Sequence, residues 1–164
     1  MSKSLVTVRL DLTRLKEHFE LKLQAVKQLA DVVDSVKHGS TDLVLLDMRD
    51  REDYGRGHIE GAISMPLEEI DKRYRNLPKD KDIVTYCYNQ YCHLSTLGAL
   101  KLVEHGIPAK EMNVGWKEWL SAGYPTHLSE SADGLDCVGR CIIENRSRLE
   151  KNGSWESEVT PSRS

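Results

Sequence analysis

Cys87 and Cys92 stand five positions apart in the stretch "IVTYCYNQYCHLS", with His93 and Ser95 just beyond them. A pair at this spacing admits four uses: a metal clip, a disulfide, a reactive thiol with a helper, or small buried side chains. A reactive thiol works as its thiolate, so it needs positive potential around it. Zinc asks for four ligands, usually in tight Cys-x2-Cys knuckles, and this spacing is longer. The second cysteine pair, Cys137 and Cys141, lies far along the chain in a polar region. No metal and no cofactor is therefore expected, and the reactive-thiol use is favoured.

The elements that would position Cys87 can be read from hydrophobic periodicity. Leu43 to Leu46 form an unbroken apolar run, and Ile83 to Tyr86 form a second; such runs suit strands of a parallel sheet buried on both faces. "AISMP" and the segment near Glu111 to Asn113 read as shorter strands. Between them lie helical patterns: Ala25 to Gly39 with Val26, Leu29, Val32, Val33 and Val36 on one face, and Leu67 to Leu77. A third runs from Leu94 to Gly106, with Leu94, Leu97, Leu100 and Val103 expected to face inward, and a helical turn carries Trp116, Trp119 and Leu120. Alternation of this kind predicts a single α/β domain over residues 25–128, a parallel sheet with helices on both faces. Residues 1–24 read as an N-terminal extension, with a helical turn over 12–19 and an edge strand over 19–23. Residues 129–164 read as a polar, mobile tail.

Composition bounds the partners. Of the 164 residues 39% are hydrophobic and 30% charged, with a formal net charge of −3. That balance argues against nucleic acid, which calls for a basic face. No apolar stretch approaches membrane-spanning length, and charges interrupt the N-terminal residues too often for a secretory signal. A cytoplasmic address follows by default, and in that reducing compartment the four cysteines are expected as thiols. The N-terminal segment leaves open a homodimer in which it swaps onto or pairs with a second copy.

In a parallel α/β sheet ligands bind beyond the carboxyl ends of the strands, and Cys87 falls at such an end. Amides of the following turn and of the helix start carry partial positive charge. They are expected to lower the Cys87 pKa and to cradle an anionic substrate or adduct. Tyr88, Asn89, Gln90, Tyr91 and His93 make up the rest of this loop, and no lysine or arginine occurs between Ile83 and Leu100.

"LLDMRDREDYGRGHIEGAISMP" (45–66), "IVTYC" (83–87) and "GWKEWLSAGYP" (115–125) together resemble the signatures of rhodanese-like domains. The resemblance implies a parallel α/β fold and sulfur transfer. A cysteine, Cys87 by motif position, would take a sulfane sulfur from a donor such as thiosulfate and form a persulfide. It would then pass the sulfur to a thiol or cyanide. The loop departs from the usual family pattern. It is about two residues longer, Gln90 replaces the central glycine, and Cys92 stands in place of the arginine. It is more similar to a subgroup with Tyr-Cys-x-Gly-Pro-x-Cys, with Asn89-Gln90 replacing Gly-Pro. Cys92 then has three roles open to it: resolving thiol, principal nucleophile, or a small residue lining the loop.

Phosphatases of the same fold clamp phosphate with an arginine where this chain has His93, so phosphatase chemistry is disfavoured. Arsenate reduction is less strongly excluded, and non-catalytic members usually lose the cysteine. The runner-up is a thiol redox or sulfur-sensing module using a Cys87–Cys92 disulfide. Asp47 and Arg49 are expected as an ion pair, with Arg49 also a candidate for substrate contact. His58 is expected to be structural, Gly57 and Gly61 to form tight turns, and Gly115 to let the backbone approach the loop. The small sulfur donor and thiol acceptor are the expected partners.

Overall fold

The computed structural model describes residues 11–129. Five parallel strands form the main sheet in the order β1-β6-β5-β2-β4. They are β1 (Val26–Lys27), β2 (Leu43–Asp47), β4 (Ile63–Ser64), β5 (Asp82–Tyr86) and β6 (Ala109–Met112). A separate antiparallel pair joins β3 (Gly57–Ile59) to β7 (Thr126–Leu128).

The alternation along the strands separates two cores. Val44, Leu46, Ile83 and Cys87 face one side with Leu102 of α5 (Leu94–Glu104) and Ile70 of α4 (Ile70–Arg73). Leu45, Val84 and Tyr86 face the other, with Val32 and Val33 of α2 (Leu29–Lys37) and Trp119 of α6 (Trp116–Ser121). Because successive strand side chains point to opposite faces, Tyr86 and Cys87 serve different layers although they are neighbours in sequence. Helices thus cover both faces of the parallel sheet, as the sequence pattern predicts.

Four local readings change. The helix expected from Ala25 starts at Leu29, because Val26 and Lys27 pair with Glu111 and Met112 as an edge strand. Gly39, at φ 60°, ends it as expected. The N-terminal extension contains no strand among its described residues. Instead α1 runs unbroken from Leu12 to Ala25, started by Asp11, whose carboxylate accepts from the Thr13 and Arg14 amides. The segment 67–77 is broken into two 3-10 turns around the four residues of α4, with joints at Glu69 (φ −94°, ψ −13°) and Arg73 (φ −116°, ψ −14°).

The fourth change bears on the site. In α5 the buried residues are Ser95, Gly98 and Leu102, while Leu97, Leu100 and Val103 are exposed. The helix packs through its small residues: a Cβ on Gly98 would sit 2.2 Å from Met48 Sδ. That closeness brings the first turn of α5 against Cys87. Cys137 and Cys141 lie outside the described residues. Among those described, no helix is long and apolar enough to cross a membrane.

Candidate active site

β5 is the central strand of the sheet, and Cys87 follows its last residue. The Thr85 hydroxyl on that strand donates to the Ser95 carbonyl at 2.8 Å, which ties the start of α5 to the strand end. A hydroxyl in an otherwise apolar strand must find a partner when buried, so Thr85 was a readable signal that the sequence reading passed over. Gly115, ahead of α6, meets the loop from the other side. A Cβ there would lie 2.4 Å from the Asn89 nitrogen, so the close backbone approach expected at Gly115 is observed. The Trp116 and Lys117 amides donate to the Cys87 and Tyr88 carbonyls at 2.8 and 2.9 Å, holding the front of the loop in place.

Cys87 is 1% exposed. Its sulfur lies 3.3 Å from the Cys92 carbonyl oxygen, 3.6 Å from Ser95 Oγ and 3.9 Å from the Asn89 carbonyl oxygen. Two of these groups accept only, so the pocket suits an S–H donor. Burial pushes the Cys87 thiol above its ordinary value, and the nearby Cys92 side chain adds to this. The Ser95 hydroxyl and amide, both able to donate to a thiolate, pull the value back in part. The sequence-based expectation of a lowered pKa is therefore corrected: in this arrangement desolvation outweighs the amides. Two of the amides assigned to the cradle are also engaged. Tyr91 donates to Asn89 Oδ1 at 2.9 Å and Cys92 to the Asn89 carbonyl at 3.1 Å, closing a turn over Asn89–Cys92.

The remaining loop residues divide in two groups. Asn89, Gln90, Cys92, His93 and Ser95 line a cleft of about 780 Å³ beside the loop. Tyr91 is 79% exposed, and the Tyr88 phenol donates to Asp50 at 2.8 Å. Cys87 and Cys92 are both free thiols. Phe19, Lys22 and Leu23 of α1 also line the cleft, and sequence reasoning did not connect them with the site. Nothing in the local pattern of an N-terminal amphipathic segment says where it docks.

Arg49 sits apart from this cleft. Its guanidinium donates to Asp47 through Nε and Nη2, the latter at 2.7 Å, and to the Gly57 carbonyl at 2.6 Å. It also lies 4.8 Å from the Trp116 ring centre. At 2% exposed it makes the structural ion pair foreseen for it, and its charge is spent on protein groups rather than turned towards a ligand. Although burial disfavours the charged form, the Asp47 hydrogen bond and charge hold the Arg49 pKa above its usual value. His58 is structural: its Nδ1 is 2.9 Å from the Tyr54 carbonyl, and its ring stacks on Tyr54 at 3.8 Å. Gly61, at φ 76°, makes the expected turn. Gly57 is extended, and its role is contact, since a Cβ would reach Leu128 at 2.8 Å.

The family model for the rhodanese-like domain matches residues 27–122. Over 84 residues the chain is 37% identical to the HTH-type transcriptional regulator Rv0324 of Mycobacterium tuberculosis, an overlap of 51% of this chain and 37% of that protein. It is 29% identical over 85 residues to the thiosulfate sulfurtransferase GlpE of Coxiella burnetii, covering 52% of this chain and 78% of that one. The crystal structure of the BH2092 protein from Bacillus halodurans matches with a TM-score of 0.67 and 26% identity, over 80% of this chain and 99% of that one. The chain thus spans little more than a third of the regulator's length. With the family model matched over more than half of its 164 residues, and with the parallel sheet that carries Cys87 at the end of its central strand, the chain belongs to the rhodanese-like domain family.

Proposed function

We propose that this chain is a sulfurtransferase that carries sulfur as a persulfide on Cys87. The observation that carries the reading is the placement of Cys87 beyond the central strand, with the Ser95 hydroxyl 3.6 Å from its sulfur and the Cys92 carbonyl at 3.3 Å. Thiosulfate serves as the example donor. The Cys87 thiol loses its proton, and the thiolate attacks the sulfane sulfur. A new S–S bond forms, the old one breaks, and sulfite leaves with the electron pair. The product is a Cys87 persulfide anion. A thiol acceptor, as its thiolate, then attacks the outer sulfur and leaves as a persulfide, returning Cys87 as thiolate.

The two carbonyl oxygens against the Cys87 sulfur suit a neutral thiol, so we read the described loop as the unloaded arrangement. Acceptor carbonyls face a neutral thiol, and an anionic persulfide needs donors instead. Ser95 supplies two, through its hydroxyl and amide. Turning the Asn89–Cys92 segment would release the Tyr91 and Cys92 amides from Asn89. Loading then coincides with loop rearrangement.

A second reading is favoured by the presence of two free thiols, Cys87 and Cys92, in one loop. Cys92 attacks the inner sulfur of the Cys87 persulfide, closes a Cys87–Cys92 disulfide and releases hydrogen sulfide. Mass spectrometry after thiosulfate or polysulfide treatment tests both. The expected result is an added mass of about 32 Da, one sulfur atom, that is lost in Cys87→Ser and kept in Cys92→Ser. An adduct that depends on Cys92 alone would reverse the assignment. A disulfide with no adduct from any donor would replace transfer by redox chemistry.

A further inference from the structure

The cleft beside the loop is larger than the inorganic partners of the proposed reaction require. At about 780 Å³ it has the size of a site for an organic ligand of many atoms, whereas thiosulfate and cyanide are small ions. Cys87 is not on its wall, but its sulfur lies directly behind Cys92 and Ser95, which are. An outer persulfide sulfur, about 2 Å beyond the Cys87 sulfur, is what could reach this space.

The wall has a mixed character. Phe19 and Leu23 of α1, with Met112 of β6, offer apolar surface. Lys22 adds a cation that makes no ion pair among the described residues. Glu111 adds a carboxylate, which accepts from the Thr96 hydroxyl at 2.5 Å. Positive and negative groups on one rim, with apolar surface between, match a ligand with a carboxylate, an ammonium and a hydrocarbon part. α1 lies outside the matched family segment 27–122 and has no buried residue of its own. Among the described residues its Leu12, Phe19, Leu21 and Leu23 side chains are exposed, and Phe19 and Leu23 belong to this wall.

We propose that the cleft is the acceptor subsite and that Phe19 and Lys22 of α1 determine its specificity, selecting a small peptide or amino-acid thiol over inorganic acceptors. This rests on the sulfur-transfer reading for its chemistry. The acceptor thiolate attacks the outer sulfur of the Cys87 persulfide, and the S–S bond to Cys87 breaks. Cys87 leaves as thiolate and the acceptor departs as a persulfide, with no oxidant or reductant consumed.

The test separates binding from transfer in the full chain. Calorimetric titration of the unloaded protein with S-methylglutathione, which cannot react, reads the cleft alone. Saturable binding is expected, weakened on the order of tenfold in Lys22→Glu and also weakened in Phe19→Ala. Absence of binding, or equal binding by wild type and Lys22→Glu, overturns the assignment even if sulfur transfer is established. In the persulfide-loaded protein, discharge by glutathione should saturate and fall on the order of tenfold in Lys22→Glu, while discharge by 2-mercaptoethanol is unchanged. Equal losses for both thiols would mean that α1 acts only on the loop. If no persulfide loads, the sulfur-transfer reading fails, and the titration still decides the cleft.

Discussion

β2 and β5 lie side by side, and their carboxyl ends handle polar groups in opposite ways. At the end of β2, Asp47 and Arg49 are almost fully buried, and each is satisfied by protein partners. Arg49 meets Asp47 and the Gly57 carbonyl, and the Tyr86 hydroxyl donates to Asp47. Beyond β5, Cys87 is just as buried, yet two of its three neighbours are carbonyl oxygens that suit the neutral thiol, and Ser95 alone can donate to a thiolate. The first end is a closed network that has no reason to move. The second is arranged for one protonation state, so changing that state favours another loop geometry. Rigidity at one strand end and adaptability at the next is what the proposed alternation between thiol and persulfide would require.

The contrast can be broken most forcefully at the rigid end. Arg49→Met leaves the buried Asp47 without its counter-charge, and unfolding in urea should show a loss of about 3–5 kcal/mol. Cys87→Ser should cost far less, on the order of 1 kcal/mol, while abolishing persulfide formation. Equal stability losses would mean that the two ends are not different in kind. Between these sits Gly115→Ala. Its Cβ meets loop backbone, which has no rotamer to escape through, so a loss of about 1–3 kcal/mol is expected together with altered alkylation of Cys87. Gly98→Ala meets the adaptable Met48 side chain and gains helix propensity, so its net cost should stay within about 1 kcal/mol.

These glycines also show where the sequence was legible. The strand order could not be read, but the existence of β2 and β5 could, because a continuous apolar run between charged turns has few other uses. The motif residues placed Cys87, the Asp47–Arg49 pair and Gly115 before any coordinate. The face of α5 was misread because a rule that points large apolar residues inward assumes ordinary helix-to-sheet spacing. Here Gly98 and Ser95 bring the helix closer, leaving Leu97, Leu100 and Val103 outside. The Cys87 pKa was misjudged for a related reason. Proximity to a helix start is visible in sequence, whereas the depth of burial and the direction of the Cys92 carbonyl are not. α1 was the least legible, since its helix is local but its place beside the loop is tertiary.

A pH profile probes the adaptable end. The rate of Cys87 alkylation by iodoacetamide should rise with a midpoint above the ordinary thiol value, and Ser95→Ala should move it further up by removing a donor to the thiolate. The linkage has a definite sign. A folded pKa above the unfolded one contributes stability below the unfolded value, and that stability is lost as pH rises through the folded value. Wild type should therefore lose stability on the alkaline side more steeply than Cys87→Ala. A midpoint at or below the ordinary value would show that the amide cradle is already formed at rest.

The smallest expected effect lies where the two ends touch. Tyr88, in the thiol loop, donates to Asp50 at 2.8 Å, and Asp50 caps α3 (Arg51–Arg56) by accepting from the Asp53 amide at 2.8 Å. The Asp53 amide holds the Asp50 carboxyl below its usual range first, and the Tyr88 phenol adds to that. Tyr88→Phe keeps the ring 5.9 Å from the Arg49 guanidinium but removes this donor, for about 0.5 kcal/mol at an exposed site. Because the folded pKa of Asp50 is depressed, its stabilisation is present at neutral pH and lost as pH falls through the folded value. The gap between wild type and Tyr88→Phe in urea should accordingly close in acid. A gap that persists unchanged there would place the contribution of Tyr88 in its packing on Arg49, making the thiol loop an extension of the rigid end rather than its counterpart.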